Sequence, residues 1–159
     1  MKKICTIILS ALLSAISLQT NATMELKSNL LPSYAAVGEN DFLLSTHNTL
    51  LFGFKEFKLG GYFGYEPMHS YLVDQSVGAA IRFGESNYFE FQAGGFQRSF
   101  KQQGRTYKGK GFIANALYGK HWGRWSLSLL LTGKRISSGD LDKRWIIDFL
   151  PYLGFRVEI

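Results

Sequence analysis

The chain has 159 residues, of which 18 are lysine or arginine and 12 are acidic, so its formal charge is +6. This length fits one domain, and after residue 22 no apolar stretch is long enough to form a transmembrane helix. Cys5 is the single cysteine, which excludes a disulfide framework and a thiolate metal site.

The first 22 residues have the composition of a secretory signal peptide. Lys2 and Lys3 give a positive start, residues 7–18 are apolar apart from small residues and serines, and residues 20–22 offer small residues for cleavage. A single anchoring helix is the alternative, but a helix needs about 20 apolar residues to span a bilayer. We therefore expect cleavage after Ala22, which leaves residues 23–159 as one exported domain without a cysteine.

The remaining chain consists of segments in which apolar and polar residues alternate. A two-residue period places alternate side chains on opposite faces of a β-strand. The first segment is weaker, because Pro32 blurs its pattern. The eight predicted strands are 24–37, 44–54, 58–66, 73–83, 88–99, 111–119, 124–134 and 144–159.

The last predicted strand gives the clearest indication of the class of protein. Its odd positions are all apolar, and its even positions include Arg144, Asp148, Arg156 and Glu158. Strands of soluble proteins usually have about 5–6 residues, whereas a tilted strand needs roughly 9–11 to cross a bilayer. Because Pro151 removes one ladder hydrogen bond, we expect a local bulge there. The pattern favours a transmembrane strand that closes a barrel.

The connections between the predicted strands fall into two classes of length. Those at 54–58, 84–87 and 119–124 are tight, and those at 66–73, 99–111 and 135–143 are longer. The two classes alternate along the chain, so all long connections are expected at one end of the barrel. Outer-membrane barrels have short periplasmic turns and longer extracellular loops.

The same alternation would suit a soluble lipocalin-like barrel, whose apolar residues line a ligand cavity. The polar face argues against this, because it mixes charges with small residues such as Gly78, Gly94 and Ser128. Small residues suit the crowded interior of a narrow barrel. The bulky apolar residues would then face lipid. Residues expected to be exposed on the outer wall are Leu127, Leu129, Leu131, Phe155 and Val157.

With its signal peptide, eight alternating segments, uneven connections and long final strand, the chain resembles the small bacterial outer-membrane barrels. This group includes OmpX and the membrane domain of OmpA, and the resemblance covers residues 23–159. It implies an all-β fold, an eight-stranded antiparallel transmembrane up-and-down β-barrel in the outer membrane of a Gram-negative cell. It also implies insertion by the barrel-assembly machinery and contact with outer-membrane lipids and lipopolysaccharide.

Charged and polar residues of the inward face form the first candidate site. Buried charges are tolerated when they are paired, and an eight-stranded barrel holds side chains or one small ligand. We therefore expect ion pairs that plug the lumen, with a narrow ion-conducting channel as the alternative. The expected interior residues are His47, Lys58, Tyr62, Glu66, Asp74, Arg82, Glu90, Arg98, Lys134, Arg144, Asp148, Arg156 and Glu158.

His69, Ser70 and Asp74 form a second candidate site, as base, nucleophile and orienting carboxylate. Barrels that modify lipid A carry such residues near the outer rim. A lipid A-modifying hydrolase or acyltransferase is therefore an alternative function. The spacing does not impose a catalytic geometry, so we expect a protein without enzymatic activity. The sequence holds no metal-ligand spacing and no cofactor-binding motif, and no cofactor or metal is expected.

Arg98, Lys101, Arg105, Lys108 and Lys110 form a basic run without an intervening acidic residue. If this run is extracellular, the nearest dense anions are the phosphates of lipopolysaccharide, which bind Lys and Arg by charge-assisted hydrogen bonds. A solvated loop is an equal alternative, and nucleic acid is not an expected partner of an exported barrel. The sequence thus predicts a structural or surface-interaction role in the outer membrane.

Overall fold

Eight antiparallel β-strands close into a barrel in the computed structural model, which describes residues 22–35, 41–69 and 71–159. The strands are β1 (Thr23–Ala35), β2 (Asp41–Phe54), β3 (Phe57–His69), β4 (Leu72–Phe83), β5 (Asn87–Gln102), β6 (Arg105–Trp122), β7 (Trp125–Gly139) and β8 (Trp145–Glu158). Strands adjacent in sequence are adjacent in the barrel, and β1 pairs with β8. The predicted eight-stranded up-and-down barrel is confirmed.

Most of the predicted signal peptide, residues 1–21, lies outside the described residues. Within the described part of the chain, no helix is long and apolar enough to cross a membrane.

The two faces of the wall follow the predicted alternation. Leu127, Leu129, Leu131 and Val157 are exposed on the outside, as expected from the sequence. Phe155 is only half-buried rather than fully exposed, because its ring packs edge-on against Trp125 at 5.2 Å between centroids. The polar alternate positions point inward, so the lumen contains most of the paired charges together with a few apolar residues, and bulky apolar residues cover the outer wall.

The turns at the two ends of the barrel differ less than the sequence suggests. The terminal end, which holds Thr23 and Glu158, has turns at 55–56, 84–86 and 123–124. The opposite, distal end has connections at 36–40, 70–71, 103–104 and 140–144. The long loops predicted at 66–73 and 99–111 are therefore wrong. The strands continue past the apolar belt, where the alternation that marks them in the sequence disappears.

The β5–β6 turn shows how this end is built. Gln103 and Gly104 both have positive φ, 49° and 75°, as a two-residue turn requires to match the twist of its strands. The hairpin therefore stays paired from Asn87 opposite Lys120 to Gln102 opposite Arg105.

The ladder between β1 and β8 is shorter than its neighbours. It pairs residues 25–30 with residues 153–158 and stops at Leu30 and Leu153, although both strands continue. On its other side β8 pairs with β7 in unbroken register, with Pro151 opposite Leu129. The prediction of a bulge at Pro151 is therefore wrong. The missing donor coincides with the end of the β1–β8 ladder instead.

Candidate functional site

The lumen is filled by polar side chains, most of them predicted to be there. Nine of the expected interior residues are buried. They are His47, Lys58, Tyr62, Glu66, Asp74, Arg82, Glu90, Arg98 and Lys134. Asp148 and Arg156 are partly exposed, and the side chain of Glu158 is 44% exposed. The interior placement of Arg144 is wrong, because β8 begins only at Trp145 and Arg144 is exposed at the distal mouth.

The sequence missed three interior residues on β1. Glu25, Lys27 and Asn29 are almost completely buried in the lumen. Their alternation with Met24 and Leu26 is visible in the sequence, but Pro32 obscures the pattern of the segment as a whole.

The terminal cluster consists of Glu25, Lys58, Arg82 and Glu90. Lys58 and Arg82 lie directly opposite each other on β3 and β4, and like charges in such positions repel. Glu25 on β1 neutralises this pair, because its carboxylate accepts hydrogen bonds from both cations. The Nζ of Lys58 lies 2.6 Å from its Oε2. Arg82 also donates two hydrogen bonds to Glu90, at 2.8 and 2.6 Å.

Tyr88 and its neighbours extend the terminal cluster towards β6. Lys27 donates a hydrogen bond to the hydroxyl of Tyr88, and the ring of His121 stacks on the Tyr88 ring at 4.5 Å. Gly119 leaves room for this ring, since a Cβ at this position would clash with the ring of Tyr88. His121, which the sequence places in a turn, therefore faces the lumen near the end of β6.

The distal cluster consists of Glu66, Asp74, Arg98 and Lys134, and it reverses the signs of the terminal one. Glu66 and Asp74 are opposite each other on β3 and β4. Lys134 reaches across from β7 and donates to both carboxylates, at 2.8 Å from Asp74. Arg98 donates two hydrogen bonds of 2.7 Å to the carboxylate of Asp74. Each like-charge pair on the β3–β4 hairpin is thus neutralised from another part of the wall.

A neutral belt separates the two clusters. Asn115 donates to the Oε1 of Gln92 at 2.9 Å and accepts a hydrogen bond from the hydroxyl of Thr132. Its Nδ2 also lies 3.4 Å from the Nε2 of His47. Asn29 donates to the backbone carbonyl of His47 at 3.0 Å. Apolar side chains are also buried in the lumen. They include Leu51, Ile113, Leu117, Leu130 and Ile136.

Side chains therefore cross the lumen at three levels, with opposite charges paired at the first and third. A buried charge that loses its partner costs several kcal/mol, so an arrangement of this kind holds its side chains in fixed positions. Ion pairs of this geometry fit a structural plug better than an open channel.

The basic run is divided between the lumen and the distal surface. Arg98 faces the lumen and is bound to Asp74. Lys101, Arg105, Lys108 and Lys110 are exposed on the β5–β6 hairpin, where the backbone of Lys108 donates to Asp140 at 3.1 Å. These four residues form the distal basic patch.

The proposed catalytic set has one member that the structure places in detail. Asp74 is buried and holds Arg98 and Lys134. His69 ends β3, and Ser70 lies outside the described residues. The arrangement of His69, Ser70 and Asp74 as a triad remains a prediction.

The barrel also has a cavity at its distal mouth and a depression on its outer wall. Arg98 and Arg144, with Leu72 and Phe100, line a cavity of about 210 Å³ at the distal mouth. The described residues include no group of three His, Cys, Asp or Glu side chains able to hold a metal ion. A second depression, of about 370 Å³, lies on the outer wall between Phe91 and Ile147.

No protein family model, no curated protein sequence and no solved structure matches this chain.

Proposed function

We propose that this protein is a small outer-membrane β-barrel with a structural or surface-interaction role. The observation that carries the proposal is the distribution of polarity across the wall. Charges are paired inside, and large apolar side chains are exposed outside on every strand. The exposed set includes Leu26, Leu50, Phe52, Leu59, Phe63, Val77, Phe83, Phe91, Phe112, Leu129, Leu131, Phe149 and Leu153.

An outer wall of this kind does not suit water. Soluble monomers rarely expose continuous apolar patches larger than a few hundred Å². A bilayer accepts such a wall, and a closed barrel leaves few backbone groups unpaired in the hydrocarbon. Export through the predicted signal peptide would bring the chain to the outer membrane, where barrels of this kind reside.

Aromatic residues support an orientation of the barrel in the membrane. Tyr118, Trp122 and Trp125 are exposed near the terminal end, and Trp145 is exposed near the distal end. Arg135 lies over the ring of Trp145, with its Cζ 5.6 Å from the ring centroid. Aromatic girdles with adjacent basic residues are typical of the two membrane interfaces.

The distal basic patch supplies the surface interaction. Lys101, Arg105, Lys108 and Lys110 lie on an extended hairpin just beyond the aromatic residues of the distal end. Ammonium and guanidinium groups at this height match the phosphates of lipopolysaccharide. We assign the patch to contacts with these lipids in the outer leaflet.

Insertion into lipid is the direct test of the proposed function. Residues 23–159, refolded with phosphatidylcholine vesicles, should become resistant to protease and should migrate differently on gels before and after heating. In cells, the protein should fractionate with the outer membrane. A water-soluble monomer without lipid or detergent would contradict the proposal.

A further inference from the structure

The register of β1 and β8 explains why the ladder between them ends at Leu30 and Leu153. Met24 and Ile159 exchange two backbone hydrogen bonds, of 3.1 and 2.8 Å. In an antiparallel ladder every second pair along the strands is hydrogen-bonded in this way. Continued past Leu30 and Leu153, the same register makes Pro32 and Pro151 such a pair. Neither proline has an N–H, so the ladder cannot continue through this position.

The side chains of β8 beside these prolines are more exposed than their neighbours on β7. On the inner face of β8, Ile146, Asp148 and Leu150 are partly exposed, whereas their neighbours on β7 are buried. On its outer face, Ile147 and Phe149 are 75% and 62% exposed. Within the described residues, 31–35 of β1 form no pairs with β8. In the described part of both strands, no ladder therefore joins β1 and β8 beyond Leu30 and Leu153, and this leaves a gap in the hydrogen-bonded wall.

Next to the two prolines the inner face of this gap is apolar, whereas Asp148 lies further along β8 towards the distal end. Leu31 on β1 and Leu150 on β8 both pack against a luminal cluster of Leu117, Leu130 and Tyr152. An added β-strand is a poor occupant, because the two prolines offer it no donors. A hydrocarbon chain needs no hydrogen bonds and matches the lining on both sides.

We propose that the β1–β8 gap is a lateral opening that admits the acyl chain of a membrane lipid to the cluster of Leu117, Leu130 and Tyr152. The inference rests on the proposed membrane location. It assigns a lipid-binding site inside a barrel whose lumen is otherwise closed by ion pairs.

A photoreactive lipid tests the opening. Residues 23–159 would be inserted into phosphatidylcholine vesicles that contain phosphatidylcholine with a diazirine at the end of one acyl chain. After illumination and digestion, mass spectrometry locates the adducts. We expect adducts on the inward-facing Leu31 and Leu150 as well as on the outward-facing Leu127 and Leu129. The enclosed Leu51 and Ile113 should carry none.

Replacing both prolines should close the opening. In P32V/P151V the restored N–H groups allow the ladder to continue, and inward adducts should fall at least about fivefold relative to outward ones. Pro67→Val is the matched control, because Pro67 is paired within the β3–β4 hairpin, and it should leave the ratio unchanged.

The outcomes separate this inference from the proposed function. Missing adducts at Leu127 and Leu129 would show that the chain does not insert, and would refute the proposed function and the opening together. Outward adducts without inward ones, in the wild-type protein, would overturn the opening alone. If P32V/P151V does not fold, the comparison within the wild-type protein still decides.

Discussion

Two pairs of like charges on the β3–β4 hairpin determine which residues must form ion pairs in the lumen. Lys58 faces Arg82, and Glu66 faces Asp74, on the same hairpin. Either pair alone would destabilise the sheet. Because the counter-charges come from β1 and β7, neutralisation joins the hairpin to other parts of the wall. The sequence shows which faces are charged, but the partner of each charge depends on the closed barrel.

At this scale, Lys134→Met should strongly destabilise the barrel. The variant leaves Glu66 and Asp74 opposite each other without the ammonium group that bridges them. Loss of one partner from a buried ion pair costs about 3–5 kcal/mol. Urea titration of the protein in lipid vesicles measures the change in the free energy of unfolding.

Lys55→Met is the matched control for this prediction, since Lys55 is exposed in a turn and lies 3.9 Å from Glu85. Its effect should stay within about 0.5 kcal/mol. Adding Glu66→Gln to Lys134→Met should restore part of the lost stability, because the carboxylate of Glu66 has lost its cation while Asp74 keeps Arg98. Equal stabilities for the Lys134 and Lys55 variants would show that the distal cluster does not hold the barrel together.

Among the elements, the strands were predictable and their ends were not. A period of two persists wherever one face lines the lumen and the other carries the exposed apolar residues of the outer wall, as in β4 and β7. At the distal ends of β5 and β6 the outer face becomes polar, with Lys101, Lys108 and Lys110, so the period fades while the backbone ladder continues. Pro32 and Pro151 are visible in the sequence, but only the register of the closed barrel places them opposite each other.

The final strand provides a prediction on the element scale. Leu153 is exposed on the outer wall, between Leu127 on β7 and Leu30 on β1. In a membrane, Leu153→Arg places a charge against lipid, at a cost of up to about 2–4 kcal/mol near the midplane. Phe155→Arg, nearer the terminal end, should cost less. Heat-modifiable gel migration and urea titration in vesicles measure both.

Glu158→Gln is the control within the same strand. Glu158 is partly exposed at the terminal end and accepts from Lys58 at 3.1 Å. The neutral side chain keeps a hydrogen-bond acceptor at this position. The loss of folding stability should therefore be smaller than that caused by Leu153→Arg. If the odd and even positions of β8 tolerate these changes equally, the outer wall does not face lipid.

For the molecule as a whole, the plugged lumen predicts the absence of steady conductance. The two clusters cross the lumen at separate levels, and both have their charges paired. In planar bilayers the wild-type barrel should therefore show no stable open channel, whereas Lys134→Met should raise the frequency of openings. Frequent openings in the wild-type protein would favour the channel over the structural role.

The whole molecule also carries its exposed charge unevenly, and this leads to a test of its partner. Changing Lys101, Arg105, Lys108 and Lys110 together to glutamine removes the distal basic patch and leaves the ion pairs of the lumen intact. Binding of purified lipopolysaccharide to the detergent-solubilised barrel should weaken by about tenfold or more, since several charge-assisted contacts are lost. Added salt should weaken the binding of lipopolysaccharide by the wild-type protein more than by the variant, because salt screens exposed charges. The matched control replaces Lys55, Lys120 and Arg124, which are exposed towards the terminal end. Equal losses in the two variants would indicate a general effect of net charge and would argue against a specific contact at the distal end.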